Sequence, residues 1–453
     1  MQTSKKKGSR PFLVRLLIFI VIAVLVNLLI TFIPTPYSSP ASEMWSKFRA
    51  REPGALSMVY VGTSQCYEGV DPVVADAASG YSSQNMGTNA QSFADSRRAI
   101  QEALEKQPVK RVVLLLDYMY MEEGKERYSK PESAFIYAEN QGQPLTARIR
   151  NSASFIFDSR YVGKPASVAF FFPWLMNINK VRSSIPLNVM AKLGLVTLQG
   201  DDRNNLRTPE GFKGFHNRIN YNLMKRQVRE TWSRDLVSEE SLGLLDSICG
   251  ICREHGAKLT VVVAPVPVSA TLRYGDSYYD RLKYVTDFFA ERGVDFFDMN
   301  MATHDFYPRQ RSDFRDIDHL NIQGARVFSN SLGTLIRKLD AGEDVSDCFY
   351  DREGFEASIN YIETVNIRAK AGKNGITVKA GSYHGSGVRA EYRFVVKGPD
   401  DERAYEISPY STKREIHFRP GKHGTYVFRV YARPEGSHID YDCTYATHVS
   451  WWG

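Results

Sequence analysis

LSMVYV, residues 56–61, followed at once by Gly62-Thr63-Ser64, is the stretch from which the fold can be read. It is too short for a helix, rich in β-branched and aromatic residues, and cut off by a glycine, so it reads as a buried strand. Runs of the same kind return in RVVLLLDY (111–118), LTVVVAPV (259–266) and VDFFDM (294–299). Between them, Arg97–Lys106, Leu242–Arg253 and Tyr279–Glu291 carry helical spacing. A closing helix follows, in which Phe328, Leu332, Leu335, Ile336 and Leu339 recur after Asn321 as a cap. Apolar strands alternating with helices predict an α/β domain, a mostly parallel sheet covered on both faces, with ligand chemistry at the carboxyl ends of its strands.

Working outward, residues 120–235 are aromatic and basic without clean periodicity and predict a helical insertion bearing the substrate cleft. Phe170, Phe171, Phe172 and Trp174 there would line an acyl or sugar cleft or simply pack. Past Ala341-Gly342-Glu343-Asp344 the pattern changes to short alternating strands, in INYIETVNIRAK (359–370), AEYRFVVKG (390–398), REIHFRP (414–420) and GTYVFRVYARP (424–434). These predict a small β-sandwich. The expected division is an anchor and stalk over 1–42, the α/β domain over 43–342, and the sandwich over 343–453. Tyr383, Tyr410, Trp451 and Trp452 are candidates for stacking on sugar faces, against the plainer reading as core.

The chain has 453 residues, 43% of them hydrophobic and 24% charged, which fits a globular body and excludes extended disorder or a many-helix membrane protein. One segment departs from this. Leu16–Ile33 is broken only by Asn27 and Thr31, long enough for one transmembrane helix. Lys5, Lys6, Lys7, Arg10 and Arg15 precede it or stand at its start, with no acidic residue before Glu43, so the N-terminus is expected in the cytoplasm and the rest outside a plasma membrane. No small-x-small cleavage site follows, which favours a retained anchor over a signal peptide. Those five basic residues supply most of the net charge of +7, leaving a body too nearly neutral for a nucleic-acid partner. Among the five cysteines, Cys348 and Cys443 could staple the first and last strands of the C-terminal segment, Cys249 and Cys252 read as core packing within a helix, and Cys66 is left over.

Two motifs carry chemistry. Ser64 stands where the chain turns sharply out of a strand, so that its N–H and the start of a following helix would face the spot where an oxyanion develops. Taken alone, it reads as a helix cap, because Gly-x-Ser after a strand is common. Asp316-Ile-Asp-His319 precedes the last helix, and residues three apart in one turn face the same way. Asp316 can then fix the imidazole tautomer so that His319 removes the Ser64 proton. The rival reading is a metal site built from Asp313, Asp316, Asp318 and His319.

Together VYVGTSQCYEGVDP (59–72), QNMGTNAQS (84–92) and DIDHLNIQGARVFSNSL (316–332) resemble the blocks of the SGNH, or GDSL-like, hydrolase superfamily. The resemblance is strongest to its membrane-anchored branch, which includes the teichoic-acid D-alanyl transfer protein and the alginate O-acetyltransferases. It covers about residues 55–340 and implies a three-layer α/β/α domain with Ser64, Asp316 and His319 as its triad. It implies an oxyanion hole from Ser64 and Gly87, with Asn89 or Gln91 as a further donor. The first block has Gly-Thr-Ser where Gly-Asp-Ser is commoner, and Asp117 stands where a Gly-x-Asn-Asp block is expected. The resemblance implies acyl transfer to a bacterial cell-surface glycan, with a multi-pass membrane acyltransferase as a possible acyl source and no cofactor. A carbohydrate esterase, or a glycan-binding scaffold without catalysis, are the alternatives.

Overall fold

The computed structural model describes residues 9–33, 39–122, 132–140, 143–156, 185–196, 205–221 and 230–453. Helix α1 (Ser9–Phe32) contains a 22-residue stretch, Pro11–Phe32, long and apolar enough to cross a membrane. At about 1.5 Å per residue it matches a hydrocarbon core about 30 Å thick. Helix α2 (Pro40–Arg49) follows, capped by Ser39, and its Met44, Trp45 and Phe48 anchor it in the core.

The α/β unit then unrolls in the expected rhythm. It runs β1 (Met58–Gly62), α3 (Ser64–Gly69), α4 (Pro72–Ser79), β2 (Ser83–Asn85), α5 (Phe93–Lys106) and β3 (Arg111–Leu115). Helices α6 (Glu132–Glu139), α7 (Leu145–Ile156) and α8 (Ile185–Lys192) come next. A hairpin of β4 (Asn205–Arg207) and β5 (Lys213–Phe215) follows. Then come α9 (Glu239–Glu254), β6 (Lys258–Val263), α10 (Val268–Leu272), α11 (Asp276–Ala290), β7 (Asp295–Asp298), α12 (Ile322–Asp340) and α13 (Arg352–Ser358). Within the span expected to be a helical insertion, the described parts thus hold an antiparallel hairpin as well as helices. Phe170, Phe171, Phe172 and Trp174 lie outside the described residues.

Among the described residues the main sheet is parallel, five-stranded and ordered β2-β1-β3-β6-β7. Alternate side chains of each strand point to opposite faces. On one face Val59, Val61, Val112, Leu114, Val261 and Val263 pack against α2, α5, α9 and α11. On the other, Met58, Tyr60, Val113, Leu115 and Val262 pack against α3, α4 and α12. Chain order reverses direction across the sheet between β1 and β3, and the crevice at the carboxyl ends of strands beside such a point is where open α/β sheets hold ligands.

At the opposite, amino end of the sheet, fully buried Arg111 donates from Nη2 to Asp340 Oδ1 at 2.6 Å and from Nη1 to Thr260 Oγ1. Lys258 Nζ and the Tyr81 hydroxyl also donate to the Asp340 carboxylate, at 2.9 and 2.7 Å. These donors hold its carboxyl down at about 2 against the opposing effect of burial.

The C-terminal strands are β8 (Ile362–Gly372), β9 (Gly375–His384), β10 (Ala390–Lys397), β11 (Tyr405–Ser411), β12 (Glu415–Phe418), β13 (Gly424–Pro434) and β14 (Cys443–Trp451). They form antiparallel sheets β12-β9-β8 and β11-β10-β13-β14. Ile362, Val365, Ile376 and Val378 of one sheet close on Tyr392, Phe394, Phe428 and Val430 of the other, giving a sandwich with its own core. The change of core falls after Gly342, because Phe355 and Ile359 pack with the α/β unit.

The Cys348–Cys443 staple is corrected by the same geometry: all five cysteines are free. Cys348 lies in a turn bound to the α/β unit, its carbonyl accepting from Thr303 N–H at 2.9 Å, whereas Cys443 is buried in the sandwich core. Trp451 donates to the Gly372 carbonyl at 2.9 Å and Tyr410 is covered by Arg433, 3.8 Å from its ring, while Trp452 stays exposed.

Candidate active site

Strand β1 ends in Gly62, whose φ of 149° few other residues adopt and whose missing side chain leaves room for Leu115. A Cβ there would stand 2.6 Å from the Leu115 carbonyl oxygen. The backbone therefore turns tightly at the sheet's carboxyl edge. Thr63 caps α3, its hydroxyl accepting from Gln65 N–H at 3.3 Å, so Ser64 is the first helical residue and its amide belongs to the turn whose donors have no helical acceptor.

The second motif is held by the entry to α12. Asn321 caps that helix, accepting from the N–H groups of Gln323 and Gly324 at 3.1 Å, and its own N–H donates to the Asp313 carbonyl at 2.8 Å. The loop between is cinched by a bridge between Phe314 and Leu320 and by Arg315 N–H donating to the His319 carbonyl at 2.9 Å. His319 consequently points back at α3. Its Nε2 lies 2.8 Å from Ser64 Oγ, and its Nδ1 lies 2.8 Å from Asp316 Oδ1. With Nδ1–H given to the carboxylate, the Nε2 lone pair faces the hydroxyl and can take its proton.

Asp316 is itself held. The Asp318 N–H donates to Oδ1 and Arg315 Nε donates to Oδ2, both at 2.9 Å. Burial opposes the charge, but the His319 bond and these donors keep the carboxyl well below its usual range. The other arm of Arg315 pairs with Glu68, which is buried on α3 one turn beyond Ser64. Burial raises the Glu68 carboxyl, while the nearby His319 and Arg315 charges act against that rise. For His319, burial pulls the pKa down, yet the Asp316 bond and the Glu68 charge outweigh it and the net shift is upward. Sequence reading missed this extension to Arg315 and Glu68. The signal was present: an acid four residues after the serine, and a base directly before the aspartate.

Ser64 and His319 open into a cleft of about 260 Å³ whose wall includes Asn89, Asp117, Arg273 and Arg281. Arg281 lies between rings, 4.2 Å from the centre of Tyr118 and 4.4 Å from that of Tyr274. The Tyr118 and Tyr278 hydroxyls both donate to buried Asp298, at 2.8 and 2.6 Å, which fixes this floor. Asp117 is pushed up to about 6 by burial, with the Asp318 charge adding to the rise.

The expected oxyanion donors divide. Asn89 is exposed and lines the cleft. Gly87 does not line it: its N–H is donated to the Asn85 side chain at 3.0 Å, and it faces a separate cavity beside α2. Its lack of a side chain serves packing, since a Cβ would meet Cys66 Cβ at 2.8 Å. Gln91 is buried and donates to Ser96 at 3.2 Å. Ala90, between Asn89 and Gln91, has φ of 55°, an unusual value for alanine, and lies on the cleft wall. The metal reading loses its ligands: Asp313 is buried with its carboxylate accepting from Gln310 N–H at 2.7 Å. Among the described residues no three His, Cys, Asp or Glu side chains gather as a metal site.

Comparison with known proteins adds little. No family model matches the chain, and no curated protein matches it. Among solved structures, one described as a "putative acylhydrolase" from Bacteroides fragilis is 9% identical, covering 65% of this chain and 93% of its own at a TM-score of 0.29. Another, described as a "putative platelet activating factor" from Streptococcus pneumonia, is 10% identical, covering 69% of this chain and 99% of its own at a TM-score of 0.30. At such scores any functional reading rests on the geometry of Ser64, His319 and Asp316.

Proposed function

We propose that the protein is a membrane-anchored enzyme of the extracytoplasmic surface that transfers an acyl group, such as acetyl, to a hydroxyl of a cell-surface polysaccharide. The observation that carries this reading is the hydrogen-bonded chain Ser64–His319–Asp316 opening into a cleft. In the first half-reaction Ser64 Oγ attacks the acyl carbonyl as His319 Nε2 takes its proton, and Asp316 stabilises the imidazolium. The carbonyl oxygen becomes an oxyanion near the Ser64 N–H and the start of α3, with the Asn89 side chain as a second donor. The bond to the leaving group then breaks, His319 returns the proton to that group, and an acyl-enzyme remains on Ser64.

In the second half, a sugar hydroxyl gives its proton to His319 and attacks the acyl carbon, and Ser64 Oγ leaves and is reprotonated. The cleft floor suits a polyhydroxylated acceptor: Arg273 and Arg281 offer donors, Asp117 offers an acceptor, and tyrosine rings flank them. Anchoring through α1, with the basic N-terminal residues in the cytoplasm, keeps the site on the outer side.

The test is turnover of a chromogenic acetyl ester by the full chain in detergent, with and without oligosaccharide acceptors, beside Ser64→Ala. Transfer requires that acceptor accelerate ester loss and emerge acylated. Ester loss indifferent to sugar would make the protein an esterase, and activity undiminished in Ser64→Ala would end the mechanism.

A further inference from the structure

Helix α8 is built the wrong way round for a helix on a water-soluble surface. Such a helix turns its apolar stripe inward and its polar residues outward. In α8, with sequence IPLNVMAK, a polar side chain is buried: Asn188 is tucked in beside Ala191. The side chains turned outward are apolar. Leu187 is 48% exposed and Met190 39%, and just past the helix Leu193 is 59% and Leu195 67% exposed. Positions 187, 190 and 193 are three apart, so they share one face.

What α8 holds on its inner side explains the inversion. The last carbonyls of any helix have no helical donor. At the end of α1 these include the Phe32 carbonyl, and the Ile33 carbonyl follows directly after it. Asn188 Nδ2 donates to the Ile33 oxygen at 3.0 Å, and the Lys192 ammonium donates to the Phe32 oxygen while lying 4.8 Å from the centre of the Phe32 ring. Thus α8 is fastened by two side chains to the point where the long apolar helix ends. A helix fixed there sits at the depth at which α1 leaves hydrocarbon, and the last turns of α1 expose Leu28, Leu29 and Phe32, apolar like its own outer side chains.

We infer that α8 is an interfacial helix, lying on the outer leaflet of the lipid bilayer with Leu187, Met190, Leu193 and Leu195 immersed among the acyl chains. The inference rests on the reading of α1 as a membrane span. A second copy of the chain would also cover an apolar face, but the fastening to the end of α1 sets this face at the level of the bilayer and favours lipid as its occupant. Apolar faces of this kind sink about 5–10 Å below the headgroups. The Lys192 stem is long enough to follow Phe32 while its charge stays at the polar boundary.

The test uses the full chain in vesicles of phosphatidylcholine and phosphatidylglycerol, with a nitroxide spin label introduced singly by Leu187→Cys, Met190→Cys or Leu193→Cys in a Cys348→Ser background. Relaxation by oxygen, which partitions into hydrocarbon, is compared with relaxation by a water-soluble nickel chelate. Two reference labels accompany them: Leu25→Cys within α1, and Lys283→Cys on the exposed side of α11. The α8 labels should behave like Leu25, favouring oxygen, and opposite to Lys283. If Leu25 favours oxygen while the α8 labels favour nickel, the inference fails although the span stands. If Leu25 itself favours nickel, the membrane reading fails first and takes the inference with it. Labels shielded from both relaxants, with line broadening that grows with protein density, would put a second copy on the face and overturn the inference.

Discussion

At the amino end of the parallel sheet, Arg111, Lys258 and Tyr81 all converge on Asp340, and Thr260 takes up the remaining arm of Arg111. At the carboxyl end, Glu68, Arg315, Asp316 and His319 form a chain of the same polar chemistry, but its last member, Ser64, faces a cleft. Helix α12 connects the two: its first turn follows His319 and its last residue is Asp340. The difference lies in closure. The first cluster uses its groups on one another and so holds the sheet edge, whereas the second ends on a hydroxyl that a ligand can reach. Charged groups paired with one another serve stability, and a polar chain with one open end prepares a reaction.

His319→Ala tests the open end most severely. Loss of the base should lower kcat/KM for an ester on the order of 10⁴-fold or more. The thermal midpoint should stay close to that of the unaltered chain, since the ring is partly exposed at the cleft. Kinetics and calorimetry on one preparation would check both; a large fall in stability would mean that the second cluster, too, is a structural one.

Asp340→Asn should show the reverse. Turnover should change little, while stability falls by about 1–3 kcal/mol, between the ranges for a surface pair and a buried one because Asp340 is partly exposed. The pH dependence has a definite sign. The Asp340 carboxyl sits at about 2 in the folded chain, below its usual value of about 3.9, so its contribution is fully present above about pH 4 and is lost as pH falls toward 2. Urea unfolding between pH 5 and 2.5 should therefore lose less stability with acid in the variant. Parallel curves would show that Asp340 carries no such contribution.

The sequence made the sheet legible because parallel strands, buried on both faces, are written as uninterrupted runs such as VVLLL at 112–116. The spacing of Asp316 and His319 was legible for a similar reason: it is local, and one turn decides it. Nonlocal choices were not legible. Whether Gly87 gives its N–H to a ligand or to Asn85 depends on how tightly Cys66 packs beside it. Whether Cys348 can reach Cys443 depends on which core the segment after α12 joins. The hairpin of β4 and β5 is three residues a side, too short to leave a period in aromatic and basic surroundings. Glu68 and Arg315 were visible as residues, but only the fold brings an acid from α3 against a base from the loop before α12.

That contact allows the finest test. Glu68 favours the protonated imidazole by its charge, while through Arg315 it helps fix the carboxylate that orients the same ring. Glu68→Gln removes the charge and keeps the shape. The protonated form of His319 then loses support, its raised pKa falls, and the acid limb of kcat/KM, which requires neutral His319, moves to lower pH. On the plateau above that limb, where the base is neutral, the rate should change only a few-fold. Arg315, freed from Glu68, can still hold Asp316. A limb that stays in place would mean that Arg315 cancels the Glu68 charge at the ring, making the pair a closed ion pair like that of Arg111 and Asp340 and shortening the open chain to its last three members.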